Sequence, residues 1–169
     1  MTINVGDSIP NETVFVMSED GSPQAITTHE LFEEKRVVMF GIIGAFTPTC
    51  STNHLPGFTI NASAFREKYA DDIICLSVND IFVMTAWGME QNVGDNLRMV
   101  SDGSATFVTS LGLGLDLAKF GQGMRCQRFS MIVENSIVKI LQREDPPMAD
   151  LPAADLTSAE TLLKIMANA

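Results

Sequence analysis

The apolar positions of this chain fall into short blocks rather than long stripes. Arg36 to Ile43, RVVMFGII, and Ile73 to Val78, IICLSV, are rich in β-branched residues and too short for buried helices. They predict strands covered on both faces. Residues 10–18 and 23–26 predict two further short strands around a turn at Glu19–Ser22, and LRMVSD, residues 97–102, predicts another. From Gln127 to Gln142 the runs QRFSMIV and SIVKILQ alternate around Glu134-Asn135-Ser136 and predict a β-hairpin.

Between these blocks the spacing turns helical. Thr27 and Glu30 have the form of a capping box and predict a helix to about Glu34. A longer helix is expected from about Cys50 to Lys68, with an interruption near Pro56-Gly57. Asp80 caps a helix to about Glu90, Asp102 or Ser104 opens one toward Leu113, and Thr157 or Ser158 starts a final amphipathic helix. Strands separated by helices, then a hairpin and a last helix, predict an α/β fold with a central mixed sheet and helices on both faces. No repeat or linker interrupts the pattern, so the 169 residues are expected to form a single domain. Residues 145–155, rich in proline, are expected to be a surface loop.

Composition narrows the partners. A net charge of −10 disfavours nucleic acid and anionic membrane surfaces, both of which need a basic face. No apolar run is long enough to cross a membrane, and no basic start followed by an apolar block marks the first twenty residues as a targeting signal. Three cysteines are too few and too scattered for a disulfide framework. With only His29 and His54 and no Cys-x-x-Cys, neither a metal site nor a cofactor is expected. A reducing, cytoplasmic setting follows.

The candidate chemistry lies in GAFTPTCSTNHLPGF, residues 44–58. Cys50 follows a buried strand and opens a helix, the junction where open α/β sheets place their ligands. Its neighbours are polar, which suggests a sulfur presented outward. Unpaired N–H groups and the helix dipole stabilise a thiolate there. Pro48 suits the first turn, and Thr47 places a hydroxyl three residues before the sulfur. The plainer alternative is a small residue tolerated at a helix start. His54, four residues on, allows a Cys–His dyad, but no third residue that would orient it is evident, and a structural hydrogen bond or an interface role is expected instead.

These residues carry a resemblance. The segment FGIIGAFTPTCSTNHLPGF resembles the active-site region of the peroxiredoxins, in particular their atypical type II branch. CLSVNDIFVMTAW (Cys75 to Trp87), RFSMIVENSIVK (Arg128 to Lys139) and VGDSIPN near the start are similar to further segments of that branch, in the same order. The resemblance covers about residues 4 to 142. It implies a thioredoxin-like fold and a thiol peroxidase in which Cys50 attacks peroxide, Thr47 holds it and Arg128 completes the site. Ile43, Gly44, Phe46, Pro48 and Thr49 would form the surrounding loop. The family usually has proline where this chain has Ile43, which puts the stiffness of the loop in question; isoleucine still excludes water.

The resemblance also implies a substrate and partners: hydrogen peroxide or small organic hydroperoxides, an external thiol (glutathione with or without glutaredoxin, or thioredoxin), and a second copy in a homodimer. Phe46, Leu55, Phe58 and Trp87 either pack the core or flank that contact. Cys75 is a packing residue by composition, although type II members with a cysteine there have been proposed to use it for resolution. Cys126, two residues before Arg128, would share a face with it in an extended strand and so stand near enough to the site for a resolving role; the alternative is an exposed or half-buried thiol with no role. A peroxide sensor using the same cysteine is the alternative to an enzyme.

Overall fold

The computed structural model describes residues 1–144 and 155–169. The expected proline-rich loop at 145–155 lies, but for Asp155, outside the described residues. Nine strands are described: β1 Thr13–Met17, β2 Pro23–Thr27, β3 Arg36–Gly41, β4 Asp72–Ser77, β5 Arg98–Ser101, β6 Gly114–Leu117, β7 Gly123–Cys126, β8 Phe129–Glu134 and β9 Ile137–Arg143. Seven form one sheet in the order β2-β1-β5-β4-β3-β8-β9, while β6 and β7 pair apart from it. The central strands β3, β4 and β5 run parallel, and β8 lies antiparallel to β3. The mixed sheet is as expected.

The helices are α1 Thr28–Phe32, α2 Leu55–Ile60, α3 Ala62–Lys68, α4 Ile81–Glu90, α5 Thr106–Ser110 and α6 Ala159–Ala167. They cover the sheet on both sides, and the alternation of each strand divides its side chains between two cores. Val37, Met39, Ile74, Leu76, Phe129 and Met131 face α1 and α5. Val38, Phe40, Ile73, Cys75 and Ile132 face α2, α3, α4 and α6. This explains why the central strands are apolar throughout.

Local signals set most of the ends. The Thr27–Glu30 capping box is formed, and Asp80 and Ser158 each accept a backbone N–H at the start of their helices. Asn135 and Ser136 both adopt positive φ (46° and 66°), the geometry of a tight hairpin turn between β8 and β9. Asp102 accepts from the N–H groups of Phe107 and Val108, but Ala105 occupies the position before α5.

Three expectations change. The helix after Cys50 breaks at Asn61, between α2 and α3, rather than near Pro56-Gly57; Pro56 stands where the π-helical turn gives way to α2. The β6–β7 hairpin was not foreseen, because its strands are four residues long and glycine-bearing. Cys126 and Arg128 do not share an extended strand: β7 ends at Cys126 and β8 begins at Phe129, so alternation does not carry across.

Candidate active site

The site gathers at the carboxyl end of β3. Ile42 continues from the strand, its N–H bonded to Leu76 O at 3.1 Å. The chain then turns through residues 44–47 and enters a helix at Pro48. Cys50–His54 is a π-helical turn that runs directly into α2. Ser51 N donates to Thr47 O at 3.0 Å, so Thr47 and Pro48 open the turn as their spacing suggested.

The sulfur is not presented outward. Cys50 is 0% exposed and belongs to the core with Phe40, Leu55 and Phe58. Its polar sequence neighbours mislead because Phe46, Pro48 and Asn53 take the solvent side of the loop while Cys50 turns inward. Phe46 is instead the exposed one, at 55%, with φ +63°, an unusual conformation for a bulky side chain. Leu55, Phe58 and Trp87 are buried in core positions.

The Thr47 hydroxyl donates to Gly44 O at 2.6 Å, and the Thr47 N–H reaches the same carbonyl at 3.4 Å. Ile43 is 3% exposed and packs in the Cys50 core. Ala45 N donates to Asn79 Oδ1 at 2.9 Å, which ties the loop to the end of β4, and Trp87 Nε1 donates to Ser51 Oγ at 3.1 Å. Sequence reasoning did not find Asn79; its signal was its place just past the carboxyl end of a central strand.

Arg128 is 3% exposed. It precedes Phe129, which pairs with Gly41 and faces the core opposite to that of Cys50. Its charge acts on the ring of His54, which stands in the turn that Cys50 opens. Gly41 has no room for a side chain, since a Cβ there would overlap the Phe129 ring and come to 3.0 Å from Cys126 Sγ.

His54 is buried between Phe40 and Phe58, its ring meeting both edge-on. Nε2 donates to Thr157 O at 3.1 Å, and burial, with Arg128 adding to it, holds its pKa down at about 4. Thr157 in turn donates its N–H and hydroxyl to Glu144 Oε1, at 2.9 and 2.8 Å, and Glu144 N reaches Arg128 O at 3.3 Å. A buried chain of bonds therefore joins the Cys50–His54 turn, the segment before α6 and the backbone of Arg128. The structural role expected of His54 is the one its bonds describe.

The remaining thiols separate. Cys75 pairs with Phe40 across β3 and β4 and lies in the Cys50 core, whereas Cys126 lies in the opposite one and bonds to Gln127 O. Burial raises the pKa of both thiols well above the ordinary range.

Comparison with known proteins identifies the family. Residues 4–163 match the Redoxin family. The chain is 39% identical to Peroxiredoxin-2D of Arabidopsis thaliana over 97% of its own length and 98% of that protein. Among solved structures it is 41% identical to reduced Prx3 of Vibrio vulnificus in complex with hydrogen peroxide, with a TM-score of 0.88, covering 98% of this chain and 99% of that one. The antioxidant protein of Plasmodium falciparum, a 1-Cys peroxiredoxin, superposes with a TM-score of 0.91 at 32% identity, over 99% of this chain and 100% of that one. This chain belongs to the redoxin family and, within it, to the type II peroxiredoxins: it is a thiol peroxidase on a thioredoxin-like fold.

Proposed function

We propose that the chain reduces hydrogen peroxide and small organic hydroperoxides through a sulfenic acid at Cys50, recycled by an external thiol. What supports this reading is a buried sulfur and the Thr47 hydroxyl in the turn that follows β3, with the buried Arg128 just before β8, the strand that pairs with β3. The Cys50 thiolate attacks one peroxide oxygen, an S–O bond forms as the O–O bond breaks, and the leaving hydroxide or alkoxide takes up a proton. Thr47 accepts a hydrogen bond from the peroxide while donating onward to Gly44 O, which fixes the direction of attack. Arg128 stabilises the negative charge as it moves from sulfur to the departing oxygen. Ile43 takes over the water-excluding role of the family's proline. The hydrogen peroxide complex of the Vibrio vulnificus relative supports the choice of substrate.

Reduction by a thiol from outside, glutathione with or without glutaredoxin or else thioredoxin, suits the absence of any cysteine after residue 126. The exposed Phe46 supports a homodimer in which a second copy covers the catalytic loop. The working compartment is a reducing one, the cytoplasm.

The test is peroxide consumption by wild type and Cys50→Ser with each thiol system supplied. Sustained turnover by wild type and none by the variant is expected. Consumption of a single equivalent of peroxide despite added thiol would indicate a sensor and overturn the enzymatic reading.

A further inference from the structure

A second guanidinium stands at the catalytic loop. Arg125 lies in β7 opposite Leu115 of β6, and Leu115 packs against the core that contains Cys50. The Arg125 side chain is half-buried against Gly44: a Cβ added there would come within 2.8 Å of Nη1 and 3.7 Å of Cζ. Gly44 is the residue whose carbonyl holds Thr47. Arg125 Nε is committed to Gln122 O at 2.8 Å. Among the described residues no carboxylate lies within ion-pair distance of Arg125. Gln122, whose carbonyl takes that bond, also has a buried side-chain oxygen without a hydrogen-bond partner among the described residues.

A chain of net charge −10 repels small anions as a whole. A half-buried cation kept clear of carboxylates beside the catalytic loop reverses that locally, and a guanidinium fork fits a carboxylate with two parallel hydrogen bonds. A thiol that carries a carboxylate therefore suits this loop better than a neutral one.

We infer that Arg125 binds the carboxylate of a small anionic thiol and so selects the reductant of Cys50. This rests on the reading of Cys50 as the sulfenic acid centre. The thiolate of the bound molecule attacks the Cys50 sulfur; the S–S bond forms as the S–O bond breaks, and hydroxide leaves to become water on protonation. A second thiolate attacks the mixed disulfide, returning Cys50 as thiolate and releasing the oxidised thiol dimer.

The experiment measures peroxidase kcat/KM for glutathione, for neutral dithiothreitol and for cationic cysteamine, in wild type, Arg125→Gln and Arg125→Lys. Arg125→Gln should lose about tenfold with glutathione relative to dithiothreitol, chiefly through KM, and gain with cysteamine relative to dithiothreitol. Arg125→Lys should recover part of the loss, and the glutathione rate of wild type should fall with salt more steeply than that of Arg125→Gln. An equal loss with all three thiols would make Arg125 a prop for the Gly44 turn and overturn the proposal. So would unchanged selectivity, or turnover with thioredoxin alone. A burst of one peroxide equivalent without thiol checks the sulfenic acid separately: burst present and selectivity unchanged sinks only this inference, whereas no burst sinks the reading beneath it.

Discussion

At Cys50 the decisive fact is burial, because a sulfur closed off from solvent reacts only with what its loop admits. The residues around it do separate jobs: Thr47 is aimed by a carbonyl, Ser51 is held by Trp87, and Ala45 is pinned by Asn79. His54 brings a cost that can be measured. Its pKa falls from an ordinary 6.5 to about 4 in the folded chain, so between those values the unfolded chain binds a proton that the folded one refuses. This residue therefore lowers stability as pH falls through that window, by of order 3 kcal/mol in full. Urea midpoints measured from pH 7 to 4.5 should fall less steeply in His54→Phe than in wild type, the phenyl ring suiting the space between Phe40 and Phe58. Parallel curves would show that His54 is protonated in the fold.

Among the elements, the catalytic turn and α6 depend on one another. Ala159 and Leu162 of α6 are buried in the Cys50 core, and Ala159 Cβ stands 3.7 Å from where a side chain on Gly57 of α2 would begin. The Thr157 carbonyl that receives His54 lies just before the Ser158 cap. Ser158 accepts from Thr161 N at 3.1 Å and donates to Asp155 O, also at 3.1 Å. Removing that cap in Ser158→Ala should cost about 1 kcal/mol, read as a lower urea midpoint at unchanged m-value. A change under a few tenths would mean that packing against α2 alone holds the helix. The turn and helix boundaries here were legible in the sequence because each rests on chemistry within four residues: Thr27 with Glu30, Asp80 with Val83, Ser158 with Thr161. The break at Asn61 and the π-helical form of Cys50–His54 were not, since nothing in the composition of CSTNHLPGF separates a wider turn from an ordinary one.

In the whole molecule the sheet acts as a wall between two cores, and it sorts the three cysteines. Cys50 and Cys75 are on one side and Cys126 on the other. A disulfide needs Cα atoms within about 7 Å and converging Cβ atoms, and side chains turned into opposite cores do not converge, although the Cys50 and Cys126 thiols lie near enough for their charges to interact. Peptide mapping after one equivalent of peroxide without thiol should find Cys50 as a trapped sulfenic acid and no bond to Cys126. A Cys50–Cys75 bond would replace the external thiol in the first reductive step.

What the sequence determined by itself was local or periodic: the doubly apolar strands, the caps, the hairpin turn, and a motif specific enough to single out Cys50, Thr47 and Arg128. Folding decided which way side chains face around the Cys50 turn and which distant segments meet there. Cys50 turned inward although its neighbours are polar, Phe46 turned outward although it is apolar, and Arg125 came to rest on Gly44 from 81 positions further along the chain. Periodicity reports orientation only where dihedral angles repeat. In a loop they do not, and packing between distant segments makes the choice.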